Sequence, residues 1–338
     1  MENKGRLNHI ESIRAFAALS VALFHFTNYH NGQRFLFESE TVRSVFVYGA
    51  QGVELFYAIS GFIIPYSLYR GRYQIKHYFH YLGKRLSRLF PPYFATILLI
   101  TLVSFALTTY LWGGNYDFQW RKIIANAFFA VDFIAAFDGL SAYFPDGGWI
   151  NPIFKTLKVE FQFYLLIGLL FPLINKKRWI LLVFTALMLV LGVYTQNANT
   201  VLVNAPFFLI GIAAFYIYEE GWSWQNSLVI LASFITLFQF YVLQDFIVGV
   251  LAFLLISFLP TRFGFLKFTG KISYSYYLIH GLTGGWFLYF TSDTYLWKEI
   301  PALMVIFALM ISWLGAFLMY FCIEKPSLII SKKIKYKP

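Results

Sequence analysis

Residues 10–26 read IESIRAFAALSVALFHF, a nearly unbroken apolar run that carries Glu11, Arg14 and His25. A helix rises about 1.5 Å per residue, so about 20 such residues cross the roughly 30 Å hydrocarbon core of a bilayer. Eleven helical steps separate Arg14 from His25, which places them within about 20° of one face and about 16 Å apart along the axis. The run is therefore predicted to be a membrane-spanning helix with one polar stripe.

The composition of the whole chain is that of a membrane protein. Of the 338 residues, 59% are hydrophobic and 13% are charged, whereas soluble domains average about 25% charged residues. A soluble enzyme, a disordered protein and a secreted disulfide scaffold are all disfavoured by these values. The single cysteine, Cys322, allows neither an intramolecular disulfide nor a cysteine-based zinc site.

Ten apolar segments have the length expected of membrane-spanning helices. They are residues 10–29, 50–69, 90–111, 156–173, 179–195, 201–218, 227–242, 244–259, 272–290 and 301–322. Pro91 and Pro92 suit the first turn of a helix and favour a start near residue 90. The predicted fold class is an all-α polytopic membrane protein, with one membrane domain over residues 1–338 and no fused soluble domain.

The basic residues indicate the orientation in the membrane. With ten spans and a cytoplasmic N-terminus, 19 of the 27 Lys and Arg residues fall on the inner side and 7 on the outer side, as the positive-inside rule requires. If an eleventh candidate, residues 123–137, also spanned the membrane, all later loops would change sides and the basic tail, residues 323–338, would lie outside the cell. We therefore expect a cell-membrane protein with both termini cytoplasmic and no nucleic-acid partner, and a long outer, re-entrant or peripheral segment at 112–155.

Ionisable side chains inside predicted spans are candidates for function, because each costs roughly 2.5–3.5 kcal/mol to insert. The notable cases are Arg14, His25, Glu54, Glu160 and His280. His25 can act as a general base, and a neighbouring carboxylate such as Glu54 would fix its tautomer. Structural hydrogen bonds between helices for Arg14 and His25, and an interfacial position for Glu160, remain the alternatives.

Arg85 and Arg88 lie three residues apart at the predicted cytoplasmic mouth, on one face if that segment is helical. Guanidinium groups bind phosphate in a bidentate manner, although plain positive-inside anchoring would also explain both residues. The six histidines show no metal-ligand spacing, and no serine lies in a nucleophile-elbow pattern, so no metal site is expected. Gly281 and Gly285 are interpreted as a small-residue pair that permits close helix packing.

Six short motifs resemble, in order, those of the acyltransferase 3 family, integral membrane enzymes that acylate sugars and other hydroxyl acceptors. They are IESIRAFAALSVALFHF (10–26), GVELFYAISGFII (52–64), KRLSRLFPPY (84–93), LKVEFQFYLL (157–166), GKISYSYYLIH (270–280) and IEKPSL (323–328). Each motif is weak alone, but the six keep their order and cover essentially the whole chain.

The resemblance implies roles for residues that match the motifs. It identifies His25 with the essential histidine of the family and Arg14 with its first-helix arginine. Arg85 and Arg88 correspond to the paired arginines, and Glu160 to the acidic residue of the motif at 157–166.

Two positions depart from the family pattern. Glu54 stands where many members have Asp, and Phe161 replaces a second acidic residue that is common after Glu160. From the motif at 270–280, Tyr277 and His280 are candidates for substrate binding.

The resemblance also implies a reaction. The donor would be acyl-CoA, with acetyl-CoA favoured, and no bound cofactor is expected. Its phosphates would dock at Arg85 and Arg88 and its pantetheine arm would pass Arg14. His25, oriented by Glu54 or Glu160, would then activate a hydroxyl of a carbohydrate or glycolipid acceptor. A covalent acyl-histidine remains open as a variant.

Two other functions remain alternatives. A secondary transporter or permease would also have many spans and buried charges, although neither a repeated half-chain pattern nor matching Gly/Pro interruptions are found. A membrane acyltransferase acting on a lipid, a peptide or another non-sugar acceptor would use similar chemistry.

Overall fold

The computed structural model describes residues 8–31, 34–135, 148–196, 199–259 and 264–334, which are mostly helical. The helices of the first half are α1 Asn8–Thr27, α2 Glu40–Val47, α3 Gly52–Arg70, α4 Tyr78–Ala106, α5 Trp120–Ala127, α6 Val131–Ala135 and α7 Phe154–Lys176. Those of the second half are α8 Trp179–Tyr194, α9 Ala205–Glu220, α10 Trp224–Phe240, α11 Leu243–Phe258, α12 Gly264–Lys271, α13 Ser273–His280, α14 Trp286–Thr291, α15 Tyr295–Glu299, α16 Pro301–Met319 and α17 Lys325–Lys333. Strands β1 His30–Asn31 and β2 Arg34–Phe35 form a short antiparallel pair that the all-α prediction did not include.

Each of the ten apolar segments found in the sequence falls on a helix. Among the described residues, five continuous helical stretches are long and apolar enough to cross a membrane: His9–Thr27, Glu40–Arg70, Ile75–Leu111, Phe154–Lys176 and Pro301–Lys333. Shorter apolar helices, among them α8, α10 and α11, accompany them. The helical fold class is confirmed, and the long apolar helices indicate a multi-pass membrane protein.

Two predicted boundaries were wrong. The third long helix begins at Tyr78 and runs through Pro91 and Pro92, because prolines inside a bundle are tolerated where neighbouring groups satisfy the freed carbonyls. The last helix does not end near residue 322. It continues through a π-helical turn, Tyr320–Glu324, and reaches Lys333 in the segment predicted to be a tail.

The described part of the connection between α4 and α7 contains two short helices. α5 has eight residues and α6 has five, and Phe129 between them adopts a positive φ of 53° that interrupts the helix. At about 1.5 Å per residue, neither helix can cross a bilayer. This agrees with the prediction that residues 123–135 do not form a span, while residues 136 and 137 lie outside the described part of the chain.

The centre of the bundle is the crossing of α3 and α9. Every residue of α9 from Ala205 to Tyr216 is buried. Gly61 and Gly211 lie at the contact, where a Cβ atom on either would collide with the backbone of the other helix. Glycine is required at this close approach, and the crossing fixes α3 relative to the rest of the bundle.

The helix that carries His280 is continuous from Ser273 to Thr291, because a π-helical turn, Gly281–Gly285, joins α13 to α14. Its first turn is held to α1 and to α4. Arg14 Nε donates to Ser273 Oγ at 3.1 Å, and Tyr274 Oη donates to the carbonyl oxygen of Leu89 at 2.7 Å. These bonds set the depth of α13 beside the polar stripe of α1.

Candidate active site

His25 and His280 meet at the C-terminal end of α1. Nδ1 of His25 lies 2.9 Å from Nε2 of His280, and the rings are stacked with centroids 5.1 Å apart. His280 is 1% exposed, whereas the His25 ring faces an open cavity. The predicted general base is therefore brought together with the histidine of the motif at 270–280.

A main-chain contact decides which nitrogens of this pair carry protons. Nδ1 of His280 lies 2.8 Å from the carbonyl oxygen of Tyr277. A carbonyl oxygen only accepts, so His280 must donate from Nδ1, and when neutral it accepts at Nε2. His25 must then donate from its own Nδ1, which leaves the lone pair of a neutral His25 on Nε2.

The histidine pair borders a cavity of about 350 Å³ at the end of α1 that is predicted to face outward, the outer cavity. Aromatic side chains supply much of its wall: Phe26, Tyr29, Trp286 and Tyr289. Asn151 and Ile153, which follow the outer segment, also line it. The cavity is large enough to admit a small ligand next to His25.

Gly281 and Gly285 also line this cavity, and their predicted role in helix packing was wrong. A Cβ atom at either position would meet no atom within 4 Å. The packing role belongs to Gly284, where a Cβ would collide with Phe26 and Ser312. A sequence pattern of small residues does not reveal which of three neighbouring glycines faces the partner helix.

Arg14 and Glu160 lie at a second site, the inner site, which is nearer the predicted cytoplasmic side. Two adjoining pockets of about 40 Å³ each share Arg14, Ser60, Glu160 and Tyr274. Glu160 accepts hydrogen bonds from Ser60 Oγ at 2.9 Å and from Tyr164 Oη at 2.5 Å. The carboxylate is thus held by hydrogen bonds within the helical bundle.

Arg85 and Arg88 line the same inner site from α4. Arg85 is 9% exposed, its guanidinium lies 5.7 Å from the ring centroids of both Tyr81 and Tyr164, and its Nε is buried without a hydrogen-bond partner. With Arg14, three guanidinium groups line this site beside the carboxylate of Glu160, and a second carboxylate, Glu324, lies within electrostatic range of Arg14 and Arg88. Such an excess of positive charge suits an anionic ligand.

An apolar barrier separates the inner site from the outer cavity. Val21, Ile153 and Tyr277 pack together, each less than 9% exposed. Thr156 Oγ1 donates to the carbonyl oxygen of Ile153 at 2.7 Å and lies 2.8 Å from Tyr277 Oη. A hydroxyl has one proton, so Tyr277 must donate to Thr156, and the two bonds tie the barrier together.

Neither predicted carboxylate orients His25. Glu54 lies in the first turn of α3 with Oε2 buried and unpaired, and Glu160 belongs to the inner site. The structure gives the orienting contact to His280 instead, because its Nε2 occupies the Nδ1 side of His25.

Glu324 was missed as a candidate, although it lies in the motif at 323–328. It is 1% exposed, and its Oε2 accepts from the backbone N of Ser275 at 3.1 Å and from Ser275 Oγ at 2.6 Å. It also lies within electrostatic range of Arg14 and Arg88. An acidic residue inside the final apolar helix was the signal that could have identified it.

Within the described residues, no three His, Cys, Asp or Glu side chains come together in an arrangement that could hold a metal ion.

Comparisons with known proteins identify the family. The acyltransferase domain family matches residues 7–321, nearly the whole chain. No curated protein and no solved structure matches the chain. The chain thus belongs to the acyltransferase 3 family and is a membrane acyltransferase.

Proposed function

We propose that the protein transfers an acyl group, in the first instance acetyl, from acyl-CoA to a hydroxyl of a carbohydrate such as a surface polysaccharide or glycolipid, with His25 as general base. The observation that carries this proposal is the chain of contacts from the Tyr277 carbonyl through His280 to His25. It leaves His25 with a basic Nε2 on a ring that borders a cavity of about 350 Å³.

In the proposed reaction, His25 Nε2 takes the proton from the acceptor hydroxyl. The oxygen attacks the thioester carbonyl, the C–S bond breaks, and the CoA thiolate leaves with the proton returned by His25. General-base assistance of this kind is worth about 10²–10⁴-fold in rate. His280 acts as a positioning residue, because it fixes the tautomer and the ring orientation of His25.

The inner site supports a role in donor binding. Arg85 and Arg88 would hold the CoA phosphates, and Arg14 would lie beside the path of the pantetheine arm toward His25. Tyr277 would contact the donor where that path meets the barrier. Charge-assisted bonds between guanidinium and phosphate are among the strongest that proteins make.

We further propose that the protein spans the plasma membrane ten times, with both termini in the cytoplasm. This orientation follows from the bias of basic residues and places the arginine cluster on the side where acyl-CoA is made. The acceptor would then reach His25 from the opposite side. Glu54 and Glu160 would contribute negative charge to the electrostatic field between the two sites.

The barrier must open for transfer. Each inner pocket measures about 40 Å³, far below the roughly 300–1,000 Å³ of sites that enclose a ligand. A pantetheine arm can therefore pass Arg14 only when Tyr277 moves away from Ile153. Such a closed barrier would keep water in the outer cavity away from the thioester.

The test uses protein purified in detergent or nanodiscs, with acetyl-CoA as donor and methyl glycosides of six-carbon sugars as acceptors. We expect acceptor-dependent release of free CoA thiol and an acetylated glycoside detected by mass spectrometry. His25→Ala should abolish both, whereas His80→Ala, at an exposed position on α4, should match wild type. Full activity of His25→Ala would overturn the proposal, and glycoside transport by the protein in sealed liposomes, without acylation, would favour the permease alternative.

A further inference from the structure

Gly281 and Gly285 open directly into the outer cavity beside His280. They lie one helical turn apart, and both have helical backbone angles, with φ of −65° and −63°. Neither position needs the conformational freedom of glycine, because an L-residue adopts these angles readily. Neither needs its small size for packing, because an added Cβ would meet no atom within 4 Å.

Glycine in a helix interior is less stable than alanine, so two such residues carry a cost that the fold does not require. Gly284, which lies between them, does need its small size, because a Cβ atom there would collide with Phe26 and Ser312. The turn that contains all three is π-helical, a local widening found often at functional sites. We therefore expect a ligand to occupy the space that Gly281 and Gly285 leave open.

A polar group in the same cavity points to a ligand. Asn151 is 9% exposed, and its Oδ1 accepts from the backbone N of Ile153 at 3.1 Å. Because this bond uses the oxygen, the amide NH₂ is what Asn151 can offer to the cavity that it lines. A buried donor of this kind normally has an acceptor when the site is filled.

Much of the remaining wall is aromatic, beside Pro152 and Ile153. Trp286 and Tyr289 follow the glycines on the same helix, with ring centroids 5.5 Å apart, and Trp112 stacks on Trp286 at 6.4 Å. A wall that lacks side chains at two positions, next to aromatic rings, suits a compact ring that carries hydroxyl groups better than a branched or linear chain. The volume, about 350 Å³, is at the lower end of that of ligand pockets.

We propose that Gly281 and Gly285 are specificity-determining residues of the acceptor site, where they leave the space for one sugar ring beside His25. The inference rests on the proposed function and extends it: the ring that bears the accepting hydroxyl lies against the wall at these two glycines, and Asn151 donates to one of its oxygens. A methyl group at either glycine occupies that space and displaces the ring from His25.

The experiment compares Gly281→Ala and Gly285→Ala with Gly83→Ala in the purified protein. Gly83 is a matched control, because it lies inside α4 and its Cβ would also meet no atom within 4 Å. Acetyl-CoA is the donor, and the acceptors are methyl glycosides of six-carbon sugars and, as a small open-chain probe, glycerol. Thermal stability, acceptor KM and donor KM are measured for each variant.

All three variants should melt at or above the wild-type temperature, because alanine stabilises a compatible helix. In Gly281→Ala and Gly285→Ala, the KM for glycosides should rise about tenfold or more. The KM for glycerol and the KM for acetyl-CoA should not change. Gly83→Ala should keep the wild-type value of all three constants.

Unchanged glycoside KM in both variants, with active wild type and inactive His25→Ala, would overturn this inference alone. Acylation of glycerol but of no glycoside by wild type would overturn the sugar-ring assignment. If wild type releases no CoA with any acceptor, the proposed function fails, and the inference fails with it.

Discussion

The rings of His25 and His280 are joined by a hydrogen bond between Nδ1 and Nε2, although 255 positions separate the two residues in the chain. The bond has a direction, because His280 uses its Nδ1 proton on the Tyr277 carbonyl and must accept at Nε2. An uncharged imidazole thus takes the place that a carboxylate holds in most catalytic triads. His280 is buried, and at such a position a carboxylate without a compensating partner would be costly.

The first prediction concerns the positioning role of His280. His280→Ala should lower kcat by about 10² or more, because His25 loses the acceptor that fixes its tautomer, while the donor KM stays at the wild-type value. His280→Asn should recover part of the rate, since its side-chain oxygen can accept from His25 Nδ1. Steady-state kinetics at saturating donor measure both effects, and equal kcat in wild type and His280→Ala would contradict them.

The second prediction concerns the arginines of the inner site. Arg85→Ala or Arg88→Ala should raise the KM for acetyl-CoA about 10- to 100-fold, because each removes charge-assisted bonds to phosphate worth about 1.5–3 kcal/mol. Arg85→Lys should recover only part of the affinity, since lysine lacks the bidentate fork. Lys76→Ala, at an exposed position before α4, is the matched control for loss of positive charge.

Donor titrations with CoA thiol release as the readout separate this role from general anchoring. If Arg85 and Arg88 only secure the topology, both variants should lose folded protein while the surviving fraction keeps the wild-type donor KM.

The location of the helices could be predicted from sequence because span length and hydrophobicity are local properties. The stripe with Arg14 and His25 was also predictable, since helical periodicity places eleven-residue neighbours on one face. The start of α4 was not, because a proline pair is equally compatible with the first turn and with a supported helix interior. That choice depends on packing, and packing is invisible in a single sequence.

The assembly of the site could not be predicted for the same reason. Which partner orients His25 depends on how α13 is placed against α1, and that placement is fixed by contacts such as Arg14 with Ser273. The glycine pair was misinterpreted because the spacing of Gly281 and Gly285 is the same for a packed face and for a cavity wall. Only the neighbouring side chains distinguish the two.

The third prediction concerns Asn126, which holds the outer segment. It is fully buried, its Nδ2 donates to the carbonyls of Lys122 and Gly148 at 2.8 Å each, and its Oδ1 accepts from the backbone N of Ile150 at 3.1 Å. Asn126→Ala should destabilise the protein by about 1–3 kcal/mol, because these main-chain groups lose their partner. The acceptor KM should rise, since Asn151 follows the released segment.

Thermal melts and acceptor titrations check this prediction. Asn115→Ala, at an exposed position in the same outer segment, is the control and should leave both quantities unchanged. A rise in donor KM without a rise in acceptor KM would show that Asn126 supports the inner site instead.

The fourth prediction concerns the barrier between the two sites. Tyr277 donates to Thr156, and Thr156 donates to the carbonyl of Ile153, which lines the outer cavity. Thr156→Val removes both bonds but keeps the shape of the side chain. Because a net hydrogen bond is worth about 0.5–1.5 kcal/mol, CoA release without acceptor should rise about 2- to 10-fold as water reaches the thioester.

A double-mutant cycle tests whether this effect arises from the Tyr277–Thr156 bond. Tyr277→Phe removes the same hydroxyl contact, so Tyr277→Phe combined with Thr156→Val should hydrolyse acetyl-CoA no faster than the faster single variant. Thr156→Ser keeps both bonds and should behave as wild type. Tyr276→Phe is the matched control, because the Tyr276 hydroxyl is buried without a hydrogen-bond partner. Additive effects in the double variant would mean that Tyr277 and Thr156 act separately, and that the barrier is held by the packing of Val21 and Ile153 alone.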